Sequence, residues 1–125
     1  MLEVSNLVGN TLHYWVGRAM GWVNYPTDSI EHGNTWHCNP KTAPFGPTMY
    51  TSEYTPSTDL YQCETIMVDH IVKLIKSNDS DGWYAYYTDY DYQHGTTIQE
   101  AICRAFVSKV YGDCVEDDVD MGSDF

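Results

Sequence analysis

Apolar side chains fall into two helical stripes near the ends of the chain, separated by a stretch with no steady period. Leu12, Trp15, Val16, Ala19 and Met20 recur at the spacing of one helix face, with Asn10 or Thr11 placed to cap the start and Gly21 to end it. Ile98, Ala101, Ile102, Ala105 and Phe106 repeat the pattern, and Gly112 ends it. Leu2 to Val8 reads as a short entering strand, with Gly9 as the turn into the first helix. Trp83-Tyr84-Ala85-Tyr86-Tyr87 suits a strand, the composition of residues 77–82 a turn before it, and Asp89 to Gly95 a loop back. Glu64 to Lys76 fits two readings: Val68, Ile71, Val72 and Ile75 match a helix face, while the β-branched content permits a strand. Asn24 to Pro56 carries all five prolines and predicts irregular chain with short strands.

This order of elements predicts an α+β fold: a single small domain over residues 1–112, an antiparallel sheet with an N-terminal and a C-terminal helix. Residues 113–125 hold six acidic and no basic side chains, the composition of a flexible acidic tail.

Charge narrows the function classes. Six Lys and Arg stand against eighteen Asp and Glu, for a formal net charge of -12. Affinity for duplex DNA or an anionic membrane comes largely from basic side chains on phosphate, so neither is an expected partner, whereas a small anion in a pocket is allowed. Cys38, Cys63, Cys103 and Cys114 show no CxxC spacing and read as free thiols of a reduced cytoplasmic protein. Glu31-His32 and His37-Cys38 are the nearest approach to metal ligands, and no HExxH, P-loop or GxSxG pattern is present. No metal, cofactor or catalytic residue is expected.

Three groups of residues are candidates for a ligand. Helical projection sets Arg104 on a polar face with Thr97, Glu100, Ser108 and Tyr111. Spacing alone favours an exposed Glu100–Arg104 pair there. The alternative is an anion gathered by the backbone N–H groups of the helix start, the Thr96 and Thr97 hydroxyls and the Arg104 guanidinium. Tyr54-Thr55-Pro56-Ser57-Thr58-Asp59 reads as a cap or turn, or as a ribose and phosphate contact through Ser57, Thr58 and Asp59. Of the eleven tyrosines, five lie between Tyr84 and Tyr92. Sheet packing accounts for most of them, with Tyr92 the one favoured for stacking a base and His94 a hydrogen-bonding neighbour.

The run from Leu7 to Gly21, the block Tyr54 to Asp59, and Thr96 to Val107 followed by Tyr111-Gly112-Asp113 resemble, in the same order, the small phage proteins typified by the nin-region X protein of lambdoid phages. Within that group the chain is similar to the Thoeris anti-defence proteins, which sequester cyclic signalling nucleotides made by bacterial TIR-domain enzymes. Their first-helix pattern often carries an acid where His13 stands. The resemblance implies a non-catalytic sponge for a cyclic ADP-ribose isomer in the host cytoplasm, a homo-oligomer, and Arg104 as a ligand contact. It predicts that Arg104→Ala loses ligand while a chain without the tail keeps it. A nucleotide hydrolase and an acidic protein that docks a host protein are the rival expectations.

Overall fold

The computed structural model describes residues 1–25, 34–38, 48–78 and 81–116. In chain order these form β1 (Leu2–Glu3), α1 (Gly9–Ala19), β2 (Val23–Tyr25), β3 (Thr35–His37), β4 (Thr48–Tyr50), α2 (Leu60–His70), β5 (Lys73–Lys76), β6 (Trp83–Tyr86), β7 (Tyr92–Gly95), α3 (Ile98–Tyr111) and β8 (Cys114–Val115). Single 3-10 turns occupy Val4–Asn6 and Thr51–Glu53. The strands pair antiparallel as β1-β8, β2-β3-β4 and β5-β6-β7. The α+β class and the two terminal helices are as the periodicity predicts; the sheet is divided into three small ones, and a third helix lies between them.

That third helix divides the ambiguous segment, helical to His70 and a strand from Lys73, so of the expected helix face only Val68 lies in the helix, and there it is exposed. Asp59 accepts hydrogen bonds from the backbone N–H groups of Tyr61 and Gln62, starting α2, which runs to His70. Ile71 then takes an extended backbone, and Lys73–Lys76 pairs with β6. Three other expectations shift. The entering strand is only Leu2–Glu3, because its partner β8 offers two residues. The first helix begins at Gly9 with Val8 before it, so Asn10 and Thr11 lie inside the first turn and no side chain caps it. The return from β6 is a strand, β7, since Thr88 Oγ1 accepts from the N–H groups of Tyr90 and Asp91 and closes a tight turn.

α3 is the central element rather than a surface helix. Every residue from Ala101 to Ser108 is buried, with α1, α2 and the β6–β7 face of one sheet packed around it. β7 can lie against it because position 95 is glycine: a Cβ there would stand 2.3 Å from the Ala101 nitrogen. The other half of the core is aromatic. The Trp36 ring fills the space left by Gly17, stacks on Tyr14 at 5.7 Å and meets Trp22 edge-on, which in turn meets Tyr54 at 4.8 Å. Cys38, Cys63 and Cys103 are buried and Cys114 is half-buried, all four as free thiols.

Beyond α3 the chain turns at Gly112, whose φ of +89° favours glycine, and Asp113 accepts a hydrogen bond from the Val4 N–H at 2.8 Å before β8 pairs with β1. The first residues after the helix thus close onto the N-terminus. Residues 117–125, most of the acidic segment, lie outside the described residues, as do Glu31 and His32. No helix among the described residues is long and apolar enough to cross a membrane.

Candidate functional site

The middle of the expected polar face of α3, Arg104 and Ser108, is enclosed, while Thr97 and Tyr111 at its ends are exposed. Arg104 is buried; its Nε donates to the Leu7 carbonyl at 3.0 Å and its Nη1 to the His94 carbonyl at 2.9 Å. Nη1 also stands 3.2 Å from Glu100 Oε1. The projection is right that Arg104 lies away from the Ile98–Phe106 stripe, but the end of β7 and the residue run before α1 cover that side. Ser108 is enclosed as well, bonded to the Tyr87 hydroxyl and to Asp113. The Glu100–Arg104 pair exists, though not as an exposed one.

Glu100 does more than pair. Its Oε1 accepts from the Thr96 N–H at 3.0 Å and the Thr96 hydroxyl at 3.3 Å, while Thr97 Oγ1 accepts from the Glu100 N–H at 3.1 Å and caps α3. Three donors, two from Thr96 and one from Arg104, therefore converge on one carboxylate oxygen at a helix start, the arrangement that an oxyanion requires. The chain's own side chain fills it. The Glu100 side chain keeps 17 % of its surface in solvent, and Thr96 and Thr97 are exposed, so the place is open to exchange.

The Tyr54–Asp59 block divides by depth. Tyr54 is buried, with its hydroxyl unpartnered, and its pKa is pushed well above the ordinary phenol value by burial and then by the neighbouring thiols of Cys103, Cys63 and Cys38. Ser57 is buried too, its Oγ 2.5 Å from His13 Nε2. His13 Nδ1 has no partner, and burial lowers the imidazole pKa to about 4, so the ring is neutral. A serine beside a neutral imidazole is the first half of a nucleophile–base arrangement. The orienting group that a triad places on the second ring nitrogen is missing from the described residues. Thr58 and Asp59 face outward, Thr58 bonded to the Thr55 carbonyl and Asp59 capping α2.

Two of the predicted groups stand at the starts of neighbouring helices. α2 and α3 run side by side in the same sense: the Cys63 thiol neighbours that of Cys103, and His70 packs on Phe106 at 4.4 Å and reaches Lys109 at 3.2 Å. Asp59 lies four residues before Cys63 and Thr97 six before Cys103, or roughly 6 and 9 Å back along the two axes. The starts of both helices thus lie at about the same level, α2 capped by the Asp59 carboxylate and α3 by the Thr97 hydroxyl, with the Glu100 carboxylate beside that cap on Thr96 and Arg104. Both starts carry the positive end of a helix dipole.

Tyr92 and His94 form a third group on the outer face of the β5-β6-β7 sheet, where Tyr92 is exposed and His94 half-buried. The His94 carbonyl ties this strand to Arg104, and its Nε2 is buried without a partner beneath Gly82. Glu100's filling of the helix start and the His13–Ser57 pair were not sought in the sequence; the i,i+4 spacing signals the first, and no local pattern signals the second. Among the described residues no group of three His, Cys, Asp or Glu could hold a metal ion.

A family model described as Bacteriophage P22, NinX matches residues 3–109, which spans α1, α2, the six strands β2 to β7 and all of α3 but its last two residues. A search of curated proteins gives no match.

Proposed function

The chain belongs to the NinX family of bacteriophage P22, and on that premise we propose that it is a phage anti-defence protein that binds and sequesters a cyclic nucleotide immune signal without degrading it. An isomer of cyclic ADP-ribose is the leading ligand. The observation that carries the reading is the three-donor site at the start of α3, held by Glu100 and backed by Arg104. A phosphate oxygen has the charge and acceptor geometry of the carboxylate oxygen it would displace. A pyrophosphate at Thr96, Thr97 and Arg104 lies at the same end as Thr58 and Asp59, whose hydroxyl and carboxylate suit ribose hydroxyls. The homo-oligomer implied by the family likeness would close the pocket over the ligand.

Sequestration needs slow release rather than turnover. The test is to incubate the pure protein with cyclic ADP-ribose isomers, denature it by heat, and analyse what is released. Intact nucleotide in stoichiometric amount is the expected result. Linear ADP-ribose would replace the sponge by a hydrolase, with the His13–Ser57 pair as the first place to look. Glu100→Ala distinguishes the site itself: emptying the three-donor position strengthens ligand binding several-fold if the nucleotide takes it, and leaves binding unchanged if it does not.

A further inference from the structure

The outer face of the β5-β6-β7 sheet carries a pattern that the helix starts do not use. Strand register sets Lys73 beside Tyr86 and Tyr86 beside Tyr92, and sets Ile75 beside Tyr84 and Tyr84 beside His94. Because alternate residues share a face, these six positions form two adjacent rows of three. The opposite face, with Ala85, Gln93 and Gly95 buried, is the one packed on α3. On the outer face Tyr92 is 48 % and Ile75 41 % exposed, Lys73 is exposed, and Tyr84, Tyr86 and His94 are half-buried.

The rings are already in contact and hold one another in place. Tyr92 is central, meeting Tyr84 perpendicularly at 5.3 Å and Tyr86 at 5.0 Å, while Tyr84 also meets His94 at 5.1 Å. Lys73 Nζ lies 4.2 Å from the Tyr86 ring centre. Little conformational entropy is lost when a flat ligand settles on rings fixed in this way. The chemistry of the face selects among possible occupants. Five of its six side chains bear an ionisable or polar tip, and lysine is depleted from the buried centres of protein interfaces because its ammonium is costly to desolvate. A second copy of the chain would bury three phenol hydroxyls and that ammonium. A planar heterocycle carrying an anionic tail leaves the hydroxyls wet and gives the ammonium a partner.

We propose that this face is a stacking site for a purine nucleotide, separate from the helix starts: the base lies on Tyr92 between Tyr84 and Tyr86, and Lys73 leaves the Tyr86 ring to meet the phosphate. Base stacking on an aromatic side chain tolerates any base, so the site recognises a class of ligand rather than one signal.

The probes are AMP, adenosine and ribose 5-phosphate, titrated into the full chain while the ring signals of Tyr84, Tyr86 and Tyr92 are followed by NMR. AMP and adenosine shift all three rings and ribose 5-phosphate does not. Tyr92→Leu, an exposed substitution, weakens AMP binding about tenfold or more. Lys73→Gln weakens AMP by up to about fivefold and leaves adenosine unchanged. Three outcomes overturn the proposal: rings unmoved by AMP and adenosine, AMP binding indifferent to Tyr92→Leu, or ring signals that shift with protein concentration alone, which means that a second copy covers the face.

Discussion

Replacing Arg104 by methionine keeps the apolar stem and removes only the guanidinium, so its cost measures what that group holds together. Two charge-assisted hydrogen bonds are lost, to the Leu7 and His94 carbonyls, at about 1.5–3 kcal/mol each. The ion pair with Glu100 adds less than about 1 kcal/mol, since that carboxylate keeps solvent contact and its Thr96 donors. Partial rehydration of the carbonyls lowers the sum, leaving a destabilisation of about 3–5 kcal/mol. With a urea dependence of about 1.5 kcal/mol per molar for a domain of this size, the unfolding midpoint falls by about 2–3 M. Glu100→Gln is the comparison: both carbonyl bonds survive, and the expected loss is below about 1 kcal/mol. The assay is equilibrium urea unfolding followed by tryptophan fluorescence. Equal costs for the two variants, or an Arg104→Met cost under about 1 kcal/mol, would refute the view that Arg104 ties α3 to β7 and to the chain before α1. The same argument disqualifies Arg104→Ala as a clean test of ligand binding, because loss of ligand and loss of fold arrive together.

Other consequences follow from buried groups. The His13 pKa is depressed from 6.5 to about 4, so the unfolded state binds the extra proton between those values; stability is whole above pH 6.5 and falls by up to roughly 3 kcal/mol as pH drops towards 4. His13→Gln removes that part of the pH dependence, and unfolding curves of the two proteins across pH 4–7 should converge at the acid end. Gly95→Ala places a methyl 2.3 Å from the Ala101 nitrogen and costs more than about 2 kcal/mol, read as a lowered melting temperature, because backbone must separate from backbone. Maleimide labelling followed by mass spectrometry should modify half-buried Cys114 in the native protein. Cys63 and Cys103, fully buried and with the Cys103 thiol pKa raised by burial and by Cys63, label only at the rate of unfolding.

How much of this was readable depends on whether the signal is local. The two terminal helices were legible because five apolar residues on each recur with a helical period, and Gly112 marks the end of α3. The β6 strand was legible from its aromatic composition. β7 was not, because Tyr92-Gln93-His94-Gly95 has weak strand propensity and becomes a strand through its partners β6 and α3. The burial of Arg104 is the larger omission. A helical wheel sorts residues by polarity and has no knowledge of how many neighbours surround the helix, so a central helix and a surface helix project alike. The residues that meet Arg104 lie 97 and 10 positions away along the chain, and only the second is within reach of local reasoning. His13 and Ser57, 44 residues apart, were likewise separate readings until the fold joined them.

The acidity of the chain, which argues against duplex DNA and anionic membranes as partners, does not decide the case of a small anion. At physiological salt a charge more than about 8 Å away is largely screened, so an anion site responds to the charges around it rather than to the net charge of the chain. On the proposed reading, binding at the helix starts would be governed by the two carboxylates already there, Asp59 and Glu100. On that reading, an anion at the α3 start would not add to Glu100 but replace it, so donors satisfied before binding would be satisfied after it, and the net gain would be the difference between two anions on the same donors. A dianionic or bridging phosphate group exceeds a single carboxylate in that exchange, whereas chloride or acetate does not. Selectivity for phosphate would then, on the proposed reading, arise from a competitor that the chain supplies itself, and that carboxylate would keep the site closed to the common anions of the cell.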